Sequence, residues 1–243
     1  NLPTGMEALA EPSFDLSLTS RNANMATEAM AGVPSKFRKT GTTIVGVLFE
    51  GGVALCSDTR ATAGNIVVDK NCLKQHYIAD NVWCLGAGTA ADTEAVTMQI
   101  SHELRLLQFE TGRVVPVTAA ITAMKRHLWK YQGHVSAALI CGGVDSTGAH
   151  LSSVWPHGST DSLPFLTMGS GCLAALSVLE RGWRRGLTKE EGVSLGIEAV
   201  KAGIFNDMGS GSNVDVVIID GEGTERRRNT VKPGTESRGA DVL

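Results

Sequence analysis

Residues 41–43, Gly-Thr-Thr, stand where a polar stretch gives way to the apolar run "TIVGVLF", and Thr42 is the residue there best suited to chemistry. A threonine hydroxyl is a weak nucleophile at neutral pH, but a free α-amine titrates near roughly 7.7–8.0 and can accept a proton there. With the Gly41–Thr42 bond cut, one residue would supply both nucleophile and base. Gly41, lacking a Cβ, would let the Thr42 hydroxyl approach the preceding carbonyl in a tight turn, so the junction reads as a self-cleavage site. Taken alone, Gly-Thr-Thr-Ile reads equally as ordinary strand-initiating sequence.

Asp58 in "CSDTRAT" and Lys74 in "DKNCLKQH" extend the chemical reading. A lysine held near the threonine would stabilise a developing alkoxide and keep the amine neutral, and a carboxylate would hold the lysine. The same two residues could instead form a surface ion pair of little worth. "LGAGTAAD" sets glycines where a strand runs into a helix, which would aim the Gly88 N–H from the positive helix end as an oxyanion hole. A phosphate cradle is the rival, yet the G-x-x-x-x-G-K-[ST] pattern is missing. "MGSGC" and "FNDMGSGSNVD" place Ser170, Asp207 and Ser210 in further glycine-rich turns, which by themselves carry no chemistry.

These residues need a scaffold, and hydrophobic periodicity supplies one. "TIVGVLF", a turn at Glu50-Gly51-Gly52 and "VALCS" form a hairpin of near-continuous apolar strands, expected where both faces are covered. "NIVVD", "HYIAD" and "NVWCLG" add strands. Val96, Ile100, Leu104 and Leu107 then make one helical stripe, and Val117, Ile121, Met124 and Leu128 another. Strands return at "VSAALICGG", "HLSSVWP" and "LPFLTMG". A second helical pair follows, from Leu176 to Trp183 and along Val193, Ile197, Val200 and Ile204, with Thr188 and Glu191 as a capping box. "NVDVVIID" reads as the closing central strand, with a polar tail after it.

Strands, two helices, strands, two helices, strands is not βαβ alternation, so a doubly wound parallel sheet is disfavoured. Two facing sheets, each covered by one helical pair, would bury every apolar stripe. The expected fold is α+β, a four-layer α/β/β/α sandwich. A chain of 243 residues, 42% hydrophobic and 19% charged, has ample material for one such core.

A net charge of −3 offers no basic field, so nucleic acid and anionic membrane are not expected partners. Five cysteines, an odd number without C-x-x-C spacing and mostly in apolar runs, read as small core residues in a reducing compartment. No histidine pairs with another or with cysteine at ligand spacing, so neither metal nor cofactor is expected. Residues 1–41 hold no stretch apolar enough for a signal peptide or membrane span, and their acids balance their bases. They read as a disordered tail or a propeptide.

Taken together and in this order, "KTGTTIVG", "DTRAT", "DKNC", "GAGTAADTE", "KYQGH", "GGVD", "PHGSTD", "MGSG" and "AGIFNDMGSGSNVDV" resemble the catalytic β subunits of the proteasome core, of the N-terminal-nucleophile hydrolase superfamily. The likeness runs from about Lys39 to about Val231 and is strongest to the type-2, trypsin-like class. It implies a propeptide over 1–41, a hydrolase domain over 42–231 and a C-terminal tail over 232–243. It implies a threonine endopeptidase that cleaves after basic residues and removes its own propeptide by cutting between Gly41 and Thr42. Thr42 would be the nucleophile, Lys74 its charge partner, Asp58 the residue orienting Lys74, and Gly88 the oxyanion donor. Ser170, Asp207 and Ser210 would be the network around the threonine amine.

The specificity pocket carried over by the resemblance comprises Ala61, Thr62, Cys72, His76, Gly86, Ala90 and Glu94. Small Gly86 leaves depth and Glu94 supplies negative charge, so long basic side chains should fit. Glu94 also fits an ordinary place in the first turns of a helix, where acids are favoured. Implied partners are the α-ring and β-ring subunits of four stacked heptameric rings and unfolded polypeptide substrates, in cytoplasm and nucleus. Type-2 subunits usually continue into a long C-terminal arm, whereas this sequence ends at Leu243 soon after the match fades. The alternative is an architectural or precursor subunit that keeps its propeptide and cuts nothing.

Overall fold

The computed structural model describes residues 40–233. Most of the leader expected over 1–41 and of the tail expected over 232–243 therefore lies outside the described residues. Strands β1 (Thr43–Phe49) and β2 (Gly52–Asp58) form the expected hairpin at the centre of a five-stranded antiparallel sheet. β10 (Phe165–Gly169) pairs with β1, β11 (Val214–Asp220) with β2, and β12 (Gly223–Val231) with β11. The second five-stranded sheet runs in the order β5 (Gln75–Ala79), β6 (Val82–Gly88), β7 (Ala137–Asp145), β8 (Gly148–Val154) and β9 (Thr160–Ser162). A separate two-stranded hairpin, β3 (Ala61–Ala63) and β4 (Ile66–Asp69), stands beside the first sheet's end.

Successive side chains on β1 serve different cores, which is why its sequence is apolar throughout. Ile44 joins Leu55, Leu85, Ile140, Leu151 and Val217 between the two sheets. Val45, Val47 and Phe49 face the opposite way, toward helices α3 (Cys172–Gly182) and α4 (Lys189–Asn206). On the far side, Val82, Cys84, Leu139 and Cys141 pack under helices α1 (Ala90–Thr111) and α2 (Val117–Lys130). Three apolar interiors separate four layers, the expected α/β/β/α sandwich. All five cysteines are free, three of them buried in these interiors.

Three readings of the elements need correction. The α1 stripe ends at Leu104, because Leu107 is exposed with Leu106 and Phe109 near the helix's C-terminal end. The polar stretch after "NVDVVIID" is not a tail but the edge strand β12, whose charged side chains mark a strand with one open side. The face α4 turns inward is centred on Gly192, Gly196, Ala199, Val200 and Gly203, while Ile197 and Ile204 are only partly buried. A Cβ on Gly196 would lie 2.7 Å from Cys56 Sγ, and one on Gly203 only 2.3 Å from Thr43 Oγ1. The glycines let α4 lie directly on β1 and β2, which carries its C-terminal residue Asn206 and the following Asp207 to the start of β1. The capping box of Thr188 and Glu191 fixes the other end of this helix.

Candidate active site

The head of β1 is clamped from both sides. Thr43 pairs with Gly169 on β10, and its N–H donates to Asp58 Oδ1 at 2.9 Å, at the end of β2. Asp58 is fully buried and its four bonds have distinct sources. Oδ1 also accepts from Lys74 Nζ at 2.8 Å, while Oδ2 accepts the N–H groups of Gly211 and Arg60 at 3.1 and 3.2 Å. A buried ion pair is tolerable only with this degree of saturation. Lys74, just before β5, is 5% exposed and is fixed from behind by Gly86 N–H donating to its carbonyl at 3.0 Å.

The ammonium of Lys74 has three protons and three acceptors. Besides Asp58, Nζ donates to Gly41 O at 2.9 Å and to Thr42 Oγ1 at 3.1 Å. Thr42 Oγ1 in turn donates to Gly41 O at 2.7 Å. The hydroxyl therefore sits beside the carbonyl that precedes it, with a cation touching both oxygens. Such a cation favours an alkoxide on one and stabilises negative charge on the other.

A second arm holds the nitrogen of the same residue. Thr42 N–H donates to Ser170 Oγ at 3.0 Å, Ser170 donates to Asp207 Oδ2 at 2.6 Å, and Ser210 donates to the same oxygen at 2.7 Å. Burial works to raise the Asp207 carboxyl. The hydroxyls of Ser170 and Ser210, with the N–H groups of Gly209 and Ser210, outweigh it and leave the group below the ordinary aspartate value. All seven residues expected to carry the chemistry, Thr42, Asp58, Lys74, Gly88, Ser170, Asp207 and Ser210, lie around this junction.

Gly88 contacts the segment that precedes Thr42. At the end of β6, with φ +115, it meets the junction through its carbonyl, which accepts Thr40 N–H at 3.4 Å and Thr40 Oγ1 at 3.2 Å. The bonds on Gly41 O come from Lys74 and Thr42 instead. Gly41 N–H donates to Thr62 Oγ1 on β3 at 3.0 Å. Thr40 and Gly41 thus run between β3 and β6 as a bound peptide would.

A cleft of about 480 Å³ opens beside the junction. Ala61, Cys72, His76, Gly86, Ala90 and Glu94 line it, whereas Thr62 takes no part in the wall and serves the backbone of Gly41. A Cβ on Gly86 would lie 2.8 Å from Thr93 Cβ and 3.1 Å from His76 Nε2, so only glycine leaves the floor open. Burial pushes the His76 imidazole below its usual value, Glu94 pulling it partly back and Arg226 adding to the fall. Burial likewise raises the Cys72 thiol. Glu94 is exposed in this chain, so its charge is more hydrated than a desolvated pocket acid would be. Among the described residues no group of three or more His, Cys, Asp or Glu could hold a metal, and no helix is long and apolar enough to cross a membrane.

Several contributors were not singled out from the sequence. Asp69 and Asn71 add a second polar wall to the cleft, and Arg60 Nη1 donates to Met208 O at 3.1 Å, tying the 207–211 loop to the Asp58 turn. "DTRAT" placed Arg60 beside Asp58, which was signal enough. Gly209 leaves room for the backbone of Gly41 and donates its N–H to Asp207 Oδ1 at 3.0 Å, and only its place in a glycine-rich turn pointed to it.

Residues 38–219 match the family described as "Proteasome subunit". The chain is 57% identical over 220 residues to proteasome subunit beta type-7-B of Arabidopsis thaliana, a match covering 90% of this chain and 80% of that protein. It is 54% identical over 229 residues to proteasome subunit beta type-7 of Dictyostelium discoideum, covering 94% and 85%. With proteasome subunit beta type-2 of Saccharomyces cerevisiae the identity is 53% over 199 residues, covering 82% and 76%.

Proposed function

The chain belongs to the proteasome subunit family as a core β subunit of the type-2 class, and on that premise we propose that it is an active threonine endopeptidase whose nucleophile is Thr42. As a member of that core it assembles with other α and β subunits. The observation that carries the proposal is the position of Lys74 Nζ, within 3.1 Å of both Thr42 Oγ1 and Gly41 O.

The first reaction is on the chain itself. Thr42 Oγ1 gives up its proton to solvent and attacks the Gly41 carbonyl carbon, and the negative charge that forms on Gly41 O faces Lys74. Collapse breaks the C–N bond, moves the leader onto the hydroxyl as an ester and delivers a proton to the nitrogen. Water then hydrolyses the ester, releasing a Gly41 carboxylate and leaving Thr42 with a free amine. Residues 1–41 are the propeptide in this reading, 42–231 the hydrolase domain and 232–243 its tail.

The mature reaction repeats the chemistry on another polypeptide. The amine, held by Ser170, takes the hydroxyl proton; the acyl-enzyme forms on Thr42; the proton passes to the leaving amine, and water deacylates the enzyme. The Gly88 N–H is the proposed oxyanion donor for this external substrate. Glu94, with Asp69 on another wall of the cleft, favours Arg and Lys before the cut bond. The proposed setting is the cytoplasm and nucleus. Thr42→Ala in assembled particles tests the assignment: leader removal and cleavage after basic residues should both stop, and survival of basic-substrate cleavage would refute it.

A further inference from the structure

Thr43 has no exposed surface, and its side chain lies directly behind the nucleophile. A Cβ on Gly171 would fall 2.0 Å from Thr43 Oγ1 and one on Gly203 2.3 Å from it, so two glycines, at the head of α3 and in the last turn of α4, close around this hydroxyl. The hydroxyl has one partner, Ser210 Oγ at 2.7 Å. Its backbone N–H has another, Asp58 Oδ1 at 2.9 Å.

Those two bonds close a ring. From the Thr42 nitrogen it passes through Ser170, Asp207 and Ser210 to Thr43, then through Asp58 and Lys74 back to Thr42 Oγ1, with every link between 2.6 and 3.1 Å. The carboxylate sets the direction of the bonds on one side. Asp207 Oδ2 only accepts, so Ser170 and Ser210 both point their protons at it. Ser210 Oγ is then left as an acceptor, and the Thr43 hydroxyl must be the donor. Ser170, its own proton committed, turns a lone pair to the Thr42 nitrogen.

We propose that Thr43 is a positioning residue for the reaction at Thr42. Its buried hydroxyl fixes Ser210, Ser210 and Ser170 together fix Asp207, and this chain orients the amine that must take the hydroxyl proton. Without the Thr43 donor, Ser210 can rotate away from Asp207, and hydrogen-bond chains that polarise one another weaken together. The role rests on reading Thr42 as nucleophile and base.

The test uses assembled core particles whose leader is replaced by a segment removed by a separate protease, so that Thr42 is free in every variant. Turnover of a basic peptide is measured per titrated active site against pH for Thr43, Thr43→Val, Thr43→Ser and Thr43→Ala. Valine keeps the β-branched shape and lacks only the hydroxyl, and serine and alanine form a second pair differing in the same group. The expected result is a kcat lower by about tenfold for valine than for threonine and for alanine than for serine, with KM little changed. The acid limb of the profile should move to higher pH in both hydroxyl-free variants, because a less satisfied Asp207 carboxylate holds the protonated amine more strongly. Equal kcat per site within each pair, or a loss that serine does not reverse, would overturn the proposal. Thr42→Ala in parallel separates the two readings. Turnover there removes the nucleophile and this role with it, whereas an inert Thr42→Ala beside a fully active Thr43→Val removes this role alone.

Discussion

Gly41 and Gly209 pass so closely that a Cβ on Gly41 would lie 2.2 Å from Gly209 Cα, and one on Gly209 would lie 2.7 Å from Gly41 Cα. No side chain fits between these backbones, and the approach brings Gly41 O under Lys74. Gly41→Ala should therefore push the carbonyl off the lysine and slow leader removal by at least about tenfold, since misplacement of a reacting group by an ångström costs rate steeply. Gly209→Ala should do the same, while its effect on turnover by already mature particles stays smaller. Intact-mass measurement of the chain during assembly checks both; leader loss at the parental rate in Gly41→Ala would contradict the steric account.

The Asp58–Lys74 pair is buried, so removing one charge leaves the other without compensation. Asp58→Asn should destabilise the chain by about 3 kcal/mol and abolish measurable turnover. Thermal unfolding of the assembled particle together with an activity assay tests this. Stability unchanged beyond about 1 kcal/mol would mean that the pair is more hydrated than its geometry shows.

Glu94 is exposed in this chain, and that limits what its charge can do. An acid in contact with solvent contributes about 1 kcal/mol to an ion pair, so Glu94→Gln should reduce the preference for Arg and Lys by about fivefold. The loss should shrink as salt is raised. Ratios of kcat/KM for basic and apolar peptides at two ionic strengths measure it. An unchanged ratio would assign selectivity to another wall of the cleft, such as that carrying Asp69.

His76 gives the cleft a pH dependence with a definite sign. Burial holds its imidazole below the usual value, Glu94 on α1 opposes that shift and Arg226 on β12 reinforces it, so the ring is neutral at pH 7. As pH falls through the lowered value the ring gains a positive charge beside Glu94. Basic substrates should then lose kcat/KM faster than apolar ones. His76→Gln should remove the difference between the two profiles while leaving their common acid limb in place.

The layers were legible because β1 and β2 are apolar on both faces and the helical stripes repeat at their own period. What stayed hidden has a physical reason in each case. The glycine face of α4 carries no large side chain to register as hydrophobic, although it decides how closely the helix approaches β1. β12 reads as polar because most of its side chains are exposed. Thr43 looks like any strand residue until Gly171 and Gly203 are folded against its hydroxyl. Thr42, Asp58 and Lys74 are separated by many residues, and only the hairpin and the approach to β5 bring them together; in the sequence their complementary chemistry and the family likeness link them, with no spacing rule to join them.

The Thr42 hydroxyl becomes a nucleophile toward other polypeptides only once its nitrogen is free. Mass spectrometry of this chain from purified, assembled core particles, paired with cleavage of a basic peptide by the same sample, addresses it directly. The chain should begin at Thr42 wherever basic-peptide cleavage is present, and Thr42→Ala should leave it uncut and inactive. Full cleavage activity from particles in which residues 1–41 are still attached to Thr42 would contradict it.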